Sequence, residues 1–268
     1  MQNVDKDLAG EKATRETILS INRWTDDLFT FRTTRPAHYS FAPGQYSRLG
    51  LMENGTAIWR PYSITSAPQD DFLEYYGVLV PGGAFTSLLD KIEPGSPIWL
   101  EKQLYGFMTV DRFVDGEDLW LLATGTGIGP YISMLRDPAV WSKFRHIVLA
   151  HGVKQASDLG YRDELRELQA NPPISATTAT PHAELRLIQA VTRMQDLAPN
   201  QLRGRLTTLL DNGELEKQAG LTMQAATSRV MMCGNPAMIE DMRRILHKRD
   251  MRPCRRALPG QFVTENYW

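Results

Sequence analysis

Five uninterrupted apolar residues, Leu119-Trp120-Leu121-Leu122-Ala123, run almost directly into Gly125-Thr126-Gly127-Ile128-Gly129-Pro130. A short strand that is apolar on both faces must be covered on both faces, which is the situation of a parallel sheet flanked by helices. A helical stretch follows to about residue 135, and the pattern then repeats. Residues 146–151 read as another apolar strand and 158–169 as a charged amphipathic helix. Residues 185–191 read as a third strand, 205–212 as a helix, 229–233 as a fourth strand and 236–248 as a helix. Strand and helix alternate, so this half predicts a doubly wound parallel α/β sheet.

The first half follows a different rule. Residues 17–24, 28–34, 45–51, 59–65, 72–80 and 97–101 are short runs rich in β-formers, bounded by Pro, Gly, Asn or Asp. That spacing predicts a small antiparallel barrel or sandwich. A single helix interrupts it, with apolar residues at 85, 88, 89 and 92. Two folding regimes in 268 residues imply two domains. The polar turn Asp115-Gly116-Glu117-Asp118 marks the junction, giving a polar extension over 1–16, a barrel domain over 17–115 and an α/β domain over 116–268.

The formal net charge of −1 argues against general attraction to nucleic acid or membranes. No apolar run approaches the roughly 20 residues of a membrane helix, and the first residues lack the apolar core of a signal peptide. Two cysteines, Cys233 and Cys254, with no Cys-x-x-Cys spacing and no clustered histidines, suggest no metal site and suit a reducing cytoplasm.

Arg60-Pro61-Tyr62-Ser63 lies on an expected barrel strand. A tyrosine ring can cover one face of a flavin. A serine hydroxyl can hydrogen-bond the flavin N5 edge, and an arginine can neutralise a pyrophosphate. Alone, the four residues read as readily as a barrel strand bearing a surface arginine. About twenty residues on, Pro81-Gly82-Gly83-Ala84-Phe85-Thr86-Ser87 opens the helix with glycines. There the backbone can approach a pyrophosphate and present a helix N-terminus to it.

These blocks occur in order with the Ala123–Pro130 turn, Cys233-Gly234-Asn235-Pro236 and Tyr267-Trp268. Together they resemble the bacterial ferredoxin/flavodoxin–NADP reductase family over nearly the whole chain from about residue 17. The resemblance implies a six-stranded antiparallel FAD barrel followed by the α/β NADP domain. It implies that Arg60, Pro61, Tyr62 and Ser63 hold FAD, with Tyr76, the backbone of Ala84, Phe85 and Thr86, and Thr126 lining the rest. Pro61 stands where the family has a small residue, and removes one backbone donor.

For the nicotinamide side, the resemblance assigns Cys233, Gly234, Asn235 and Pro236 to the region of hydride transfer, with Cys233 as a packing or positioning group. Lys154, Thr192, Arg193 and Arg205 match segments that grip the 2′-phosphate, so NADPH is the expected donor, with Arg203 as a possible substitute. Trp268 would stack on the adenine and Tyr267 would shield the cofactor. Glu265 is either a proton relay to the flavin or a surface carboxylate.

Residues 243–256 carry Arg243, Arg244, Lys248, Arg249, Arg252, Arg255 and Arg256 against Asp250 alone. This run is either solvated helix charge or a docking face for an acidic ferredoxin or flavodoxin. The implied activity is hydride transfer from NADPH to flavin N5, then two single-electron steps to the carrier, by a monomeric cytoplasmic enzyme. Alternatives are a flavin reductase or oxygenase-component reductase of the same superfamily, or a non-catalytic flavin-binding regulatory subunit.

Overall fold

The computed structural model describes residues 12–174, 183–193, 197–198, 201–256 and 258–266. Its first sheet contains β1 (Ala13–Arg23), β2 (Leu28–Thr34), β3 (Tyr46–Glu53), β4 (Thr56–Ser63), β5 (Phe72–Val78) and β6 (Pro97–Glu101). The strands are antiparallel in the order β4-β3-β6-β1-β2-β5. A bridge between Ile64 and Tyr75 joins the two outer strands and closes the barrel. Closure removes the free edges that an open sheet would present. The interior holds Ile18, Phe31, Leu49, Ile64, Leu73, Tyr75 and Ile98, and helix α1 (Ala84–Leu89) plugs it with Phe85 and Leu89. β1 begins at Ala13, four residues ahead of the expected start, because Ala13–Thr17 pair with Pro97–Glu101. The polar side chains there hid the strand.

The second sheet contains β7 (Asp118–Thr124), β8 (His146–Val153), β9 (Glu184–Val191), β10 (Gln201–Arg203), β11 (Ser228–Gly234) and β12 (Phe262–Asn266), all parallel, in the order β10-β9-β8-β7-β11-β12. Helices α2 (Gly129–Leu135), α3 (Pro138–Lys143) and α4 (Arg162–Ala170) cover one face; α5 (Leu206–Asp211), α6 (Glu214–Ala219) and α7 (Pro236–Lys248) cover the other. Leu119, Leu121 and Ala123 enter the first core, and Trp120 and Leu122 enter the second. That division explains the uninterrupted apolar run, since neighbouring strand residues point to opposite faces. β10, β12, α3 and α6 were not anticipated; all are short.

Strand order reverses between β7 and β11, so a crevice opens at their carboxyl ends, where open α/β sheets bind ligands. The barrel is held against this sheet by a buried polar knot. Arg136 donates to Glu74 and to the Thr65 carbonyl, both at 2.8 Å, and pairs with Glu164. Tyr161 donates to the same Glu74 oxygen at 3.1 Å, and Ser133 donates to the Ser66 carbonyl at 2.7 Å. No helix among the described residues is long and apolar enough to cross a membrane.

Candidate functional site at the domain junction

Tyr62 is next to last on β4. Its ring packs against Phe85 (5.6 Å between centroids) and meets Phe31 and Tyr75 edge-on. Gly77 lies beneath it: a Cβ there would come 3.1 Å from the ring. Burial pushes the Tyr62 hydroxyl well above the ordinary tyrosine range, so the ring is a neutral wall at any working pH. Arg60, two residues back, is exposed and donates to the Trp59 carbonyl. Pro61 is exposed beside it. The glycine turn lies next to this wall. Gly82 has φ +73° with open space around it, Gly83 caps α1, Ala84 is exposed, and Thr86 donates to the Val80 carbonyl at 3.0 Å. Arginine, ring and open glycine backbone fit an aromatic dinucleotide with a pyrophosphate.

Ser63, buried at the end of β4, lies beside Glu265 of β12 across the junction. Desolvation raises the Glu265 carboxyl to about 7, although the Ser63 hydroxyl beside it works the other way. Glu265 is paired in register with Cys233 of β11, and Cys233 with Ala123 of β7. The end of β4 and the carboxyl ends of β11 and β12 therefore bring three side chains side by side, Ser63 next to Glu265 and Glu265 next to Cys233. Tyr46, paired with Ser63, stacks on Tyr105, and Gly106 lies against Glu265.

The crevice itself is lined by closely approaching backbone. A Cβ on Gly127 would collide with the Cys233 carbonyl, and one on Gly234 (φ +132°) with Thr124. The Thr124 hydroxyl accepts from Asn235 N–H at 2.8 Å. Asn235 in turn caps α7 by accepting from Ala237 and Met238, with Pro236 in its first turn. Buried His151 donates to the Gly125 carbonyl at 2.9 Å, and burial lowers its pKa to about 4, so it is neutral. It fixes the turn carrying the half-buried Thr126. Thr124 and His151 were missed in the sequence; a polar residue at a strand end beside a glycine turn was the available signal.

Lys154, Thr192, Arg193 and Arg205 are exposed just past the carboxyl ends of β8, β9 and β10. Arg193 N–H donates to the Lys154 carbonyl at 2.8 Å, tying two of these ends together. None of the three cations forms a salt bridge with a described carboxylate. Their open charge fits an anion.

Tyr76 is not brought to this group. It faces away from Tyr62 and packs edge-on against Tyr161 of the second domain at 5.2 Å. Tyr267 and Trp268 lie outside the described residues. The basic run is also divided. Asp250 is not its only opposing charge: Arg244 pairs with Asp241 at 2.6 Å, and Arg249 turns inward to Glu216 at 2.7 Å and to the Leu210 carbonyl.

Two family models match the chain: an oxidoreductase FAD-binding domain over residues 16–102 and an oxidoreductase NAD-binding domain over residues 121–244. The chain is 34% identical over 253 residues to ferredoxin–NADP reductase A of Sorangium cellulosum, covering 94% of this chain and 89% of that one. It is 35% identical over 252 residues to the flavodoxin/ferredoxin–NADP reductase of Escherichia coli, covering 94% and 97%. A crystal structure of a ferredoxin NADP+ reductase from Neisseria gonorrhoeae with bound FAD and NADP superimposes with a TM-score of 0.87 at 35% identity, covering 95% and 98%. Barrel, parallel sheet and full-length likeness agree: the chain belongs to the ferredoxin/flavodoxin–NADP reductase family and is an FAD- and NADPH-dependent oxidoreductase.

Proposed function

We propose that this chain passes electrons from NADPH through FAD to an acidic one-electron carrier, a ferredoxin or a flavodoxin. The observation that carries the reading is the convergence of Ser63, Glu265 and Cys233 where the barrel meets the carboxyl ends of β11 and β12. Bound at this junction, FAD would supply the redox chemistry, a carrier able to accept a hydride and release electrons one at a time.

In this reading Tyr62 covers one flavin face, with Phe85 behind it and Gly77 beneath. Ser63 directs its hydroxyl to the N5 edge, and Arg60 with the open backbone at Gly82–Thr86 holds the pyrophosphate. Thr126 borders the flavin from the second domain. Cys233 is fully buried and acts by shape, limiting where the nicotinamide stacks; the transfer needs no nucleophile. Glu265 holds or releases a proton beside Ser63 near neutral pH. Lys154, Thr192, Arg193 and Arg205 grip the 2′-phosphate and distinguish NADPH from NADH. Tyr267 and Trp268 follow directly on β12, which brings the chain to this junction.

The test is spectroscopic. Purified protein should be yellow, bleach under anaerobic NADPH far faster than under NADH, and recover its colour on mixing with oxidised ferredoxin or flavodoxin. A colourless protein, or one indifferent to NADPH, overturns the proposal.

A further inference from the structure

We propose that the surface strip formed by Phe107, Arg112, Val114, Arg255, Arg256 and Leu258 is where the acidic carrier docks, with Phe107 as the apolar contact nearest the reaction centre. The inference rests on the electron-transfer reading above and deepens it. Among the described residues, four large apolar side chains are more than 60% exposed: Phe107 (75%), Val114 (74%), Ile174 (65%) and Leu258 (61%). Three of the four belong to this strip. Large apolar groups left in water together mark an interaction surface far better than scattered ones.

The strip is built by two segments that meet. One follows β6, and its Gly106 lies against the Glu265 carboxylate. Farther along, Arg112 donates to the Arg255 carbonyl at 3.0 Å, and its own carbonyl receives Cys254 Sγ at 3.8 Å. The other segment is the turn after α7, where Arg255 and Leu258 exchange backbone hydrogen bonds and Pro253 bridges to Phe262. The strip thus runs beside edge strand β12, from its start at Phe262 to Glu265 near its end. A protein bound there sits next to Ser63 and Glu265, where electrons have the shortest way out.

Charge selects the partner. Arg112, Arg255 and Arg256 form no salt bridge with a described carboxylate. Of the nearby carboxylates, Asp115 is paired with Arg229, while Asp111 accepts from Thr109 and leaves the arginines in excess. Cations around an exposed apolar centre suit an acidic protein: the centre supplies contact and the charges steer the encounter. Helix α7 is the weaker surface, because Arg244 and Arg249 are already paired and Arg243 and Lys248 have no exposed large apolar residue beside them on the helix.

The test uses the FAD-loaded enzyme with NADPH and two kinds of acceptor: ferredoxin or flavodoxin, and the small neutral quinone menadione. Phe107→Ser, and Arg255→Glu with Arg256→Glu, should each lower kcat/KM for the carrier by about tenfold or more while menadione reduction stays within about twofold. The charge reversals should also flatten the salt dependence of carrier reduction. Arg243→Glu with Lys248→Glu should change carrier reduction less than about twofold. Undiminished carrier reduction by the strip variants, or an equal loss in the α7 variant, overturns the inference. So does sedimentation showing a dimer that Phe107→Ser dissolves, since a second copy would then occupy the strip. Wild-type enzyme that reduces menadione but neither carrier overturns the docking inference and leaves NADPH oxidation standing. Failure with menadione as well sinks the underlying reading itself.

Discussion

The Glu265 carboxyl, on the edge strand of the parallel sheet, lies beside the Ser63 hydroxyl at the end of a barrel strand. Because the two partners belong to different sheets, this contact exists only when the domains are correctly docked. It also places a carboxyl whose pKa burial raises to about 7 at the junction of the two domains.

Glu265→Gln should therefore change the pH dependence. Burial raises the folded-state value to about 7 from 4.5, so the folded protein holds the proton more tightly than the unfolded chain does. The resulting stabilisation is complete below the unfolded value and is lost as pH rises through 7. At pH 8 and above, the glutamine variant should be the more stable protein, by up to roughly 3 kcal/mol. Thermal melts from pH 5 to 9 read this directly; parallel curves for wild type and variant would rule it out. The limb near pH 7 in the turnover profile should disappear with the carboxyl.

Arg193→Ala and Arg205→Ala should each raise KM for NADPH about 10- to 100-fold, the size expected for one charge-assisted phosphate contact. KM for NADH should stay unchanged. Steady-state kinetics with both nucleotides decides it, and an equal effect on NADH would remove these residues from phosphate recognition.

Gly234→Ala should be far more damaging than Gly55→Ala, although both glycines have positive φ. A Cβ at Gly55 meets nothing within 4 Å, so only backbone strain remains, about 1 kcal/mol. At Gly234 it would strike Thr124 as well, so about 2–4 kcal/mol should be lost, together with affinity for NADPH. Chemical denaturation and nucleotide titration of the two variants test the contrast.

Removing Arg136 should cost about 3–5 kcal/mol, because Glu74 would be left buried with Arg32 as its only ion-pair partner among the described residues. Burial alone would raise the Glu74 pKa, but Arg136 and Arg32 outweigh it, and the net shift is downward. Its stabilisation is therefore present above the ordinary carboxylate value and is lost as pH falls through the depressed folded value. Arg136→Met should flatten this acid limb; an unchanged limb would show that Glu74 is held by other groups.

Much of this architecture was legible in the sequence for specific reasons. Residues 119–123 announce burial on two faces, and residues 236–248 coincide with α7 because Asn235 caps it and its apolar spacing is regular. Lys154 and Arg193 each follow a recognisable strand, whereas Arg205 follows the three-residue β10 and was grouped with them by the resemblance alone. Short or polar elements were hidden. β12 reads as Phe-Val-Thr-Glu-Asn, and only pairing with β11 makes it a strand. Arg249 looks like its surface neighbours, since nothing local shows that Glu216 waits 2.7 Å away. Tyr75 and Tyr76 are adjacent identical residues, and the pleat sends one into the barrel and the other to Tyr161.

The Ser63–Glu265 contact spans about 200 residues of chain, a sequence separation that loop closure makes slow to achieve. During refolding, hairpin pairings between sequence neighbours, β1 with β2 and β3 with β4, should give far-ultraviolet signal first. Catalytic competence should then return in a later phase, when the last parallel strand closes on the barrel. The lag between those two recoveries would clock the moment at which a finished pair of domains becomes an enzyme.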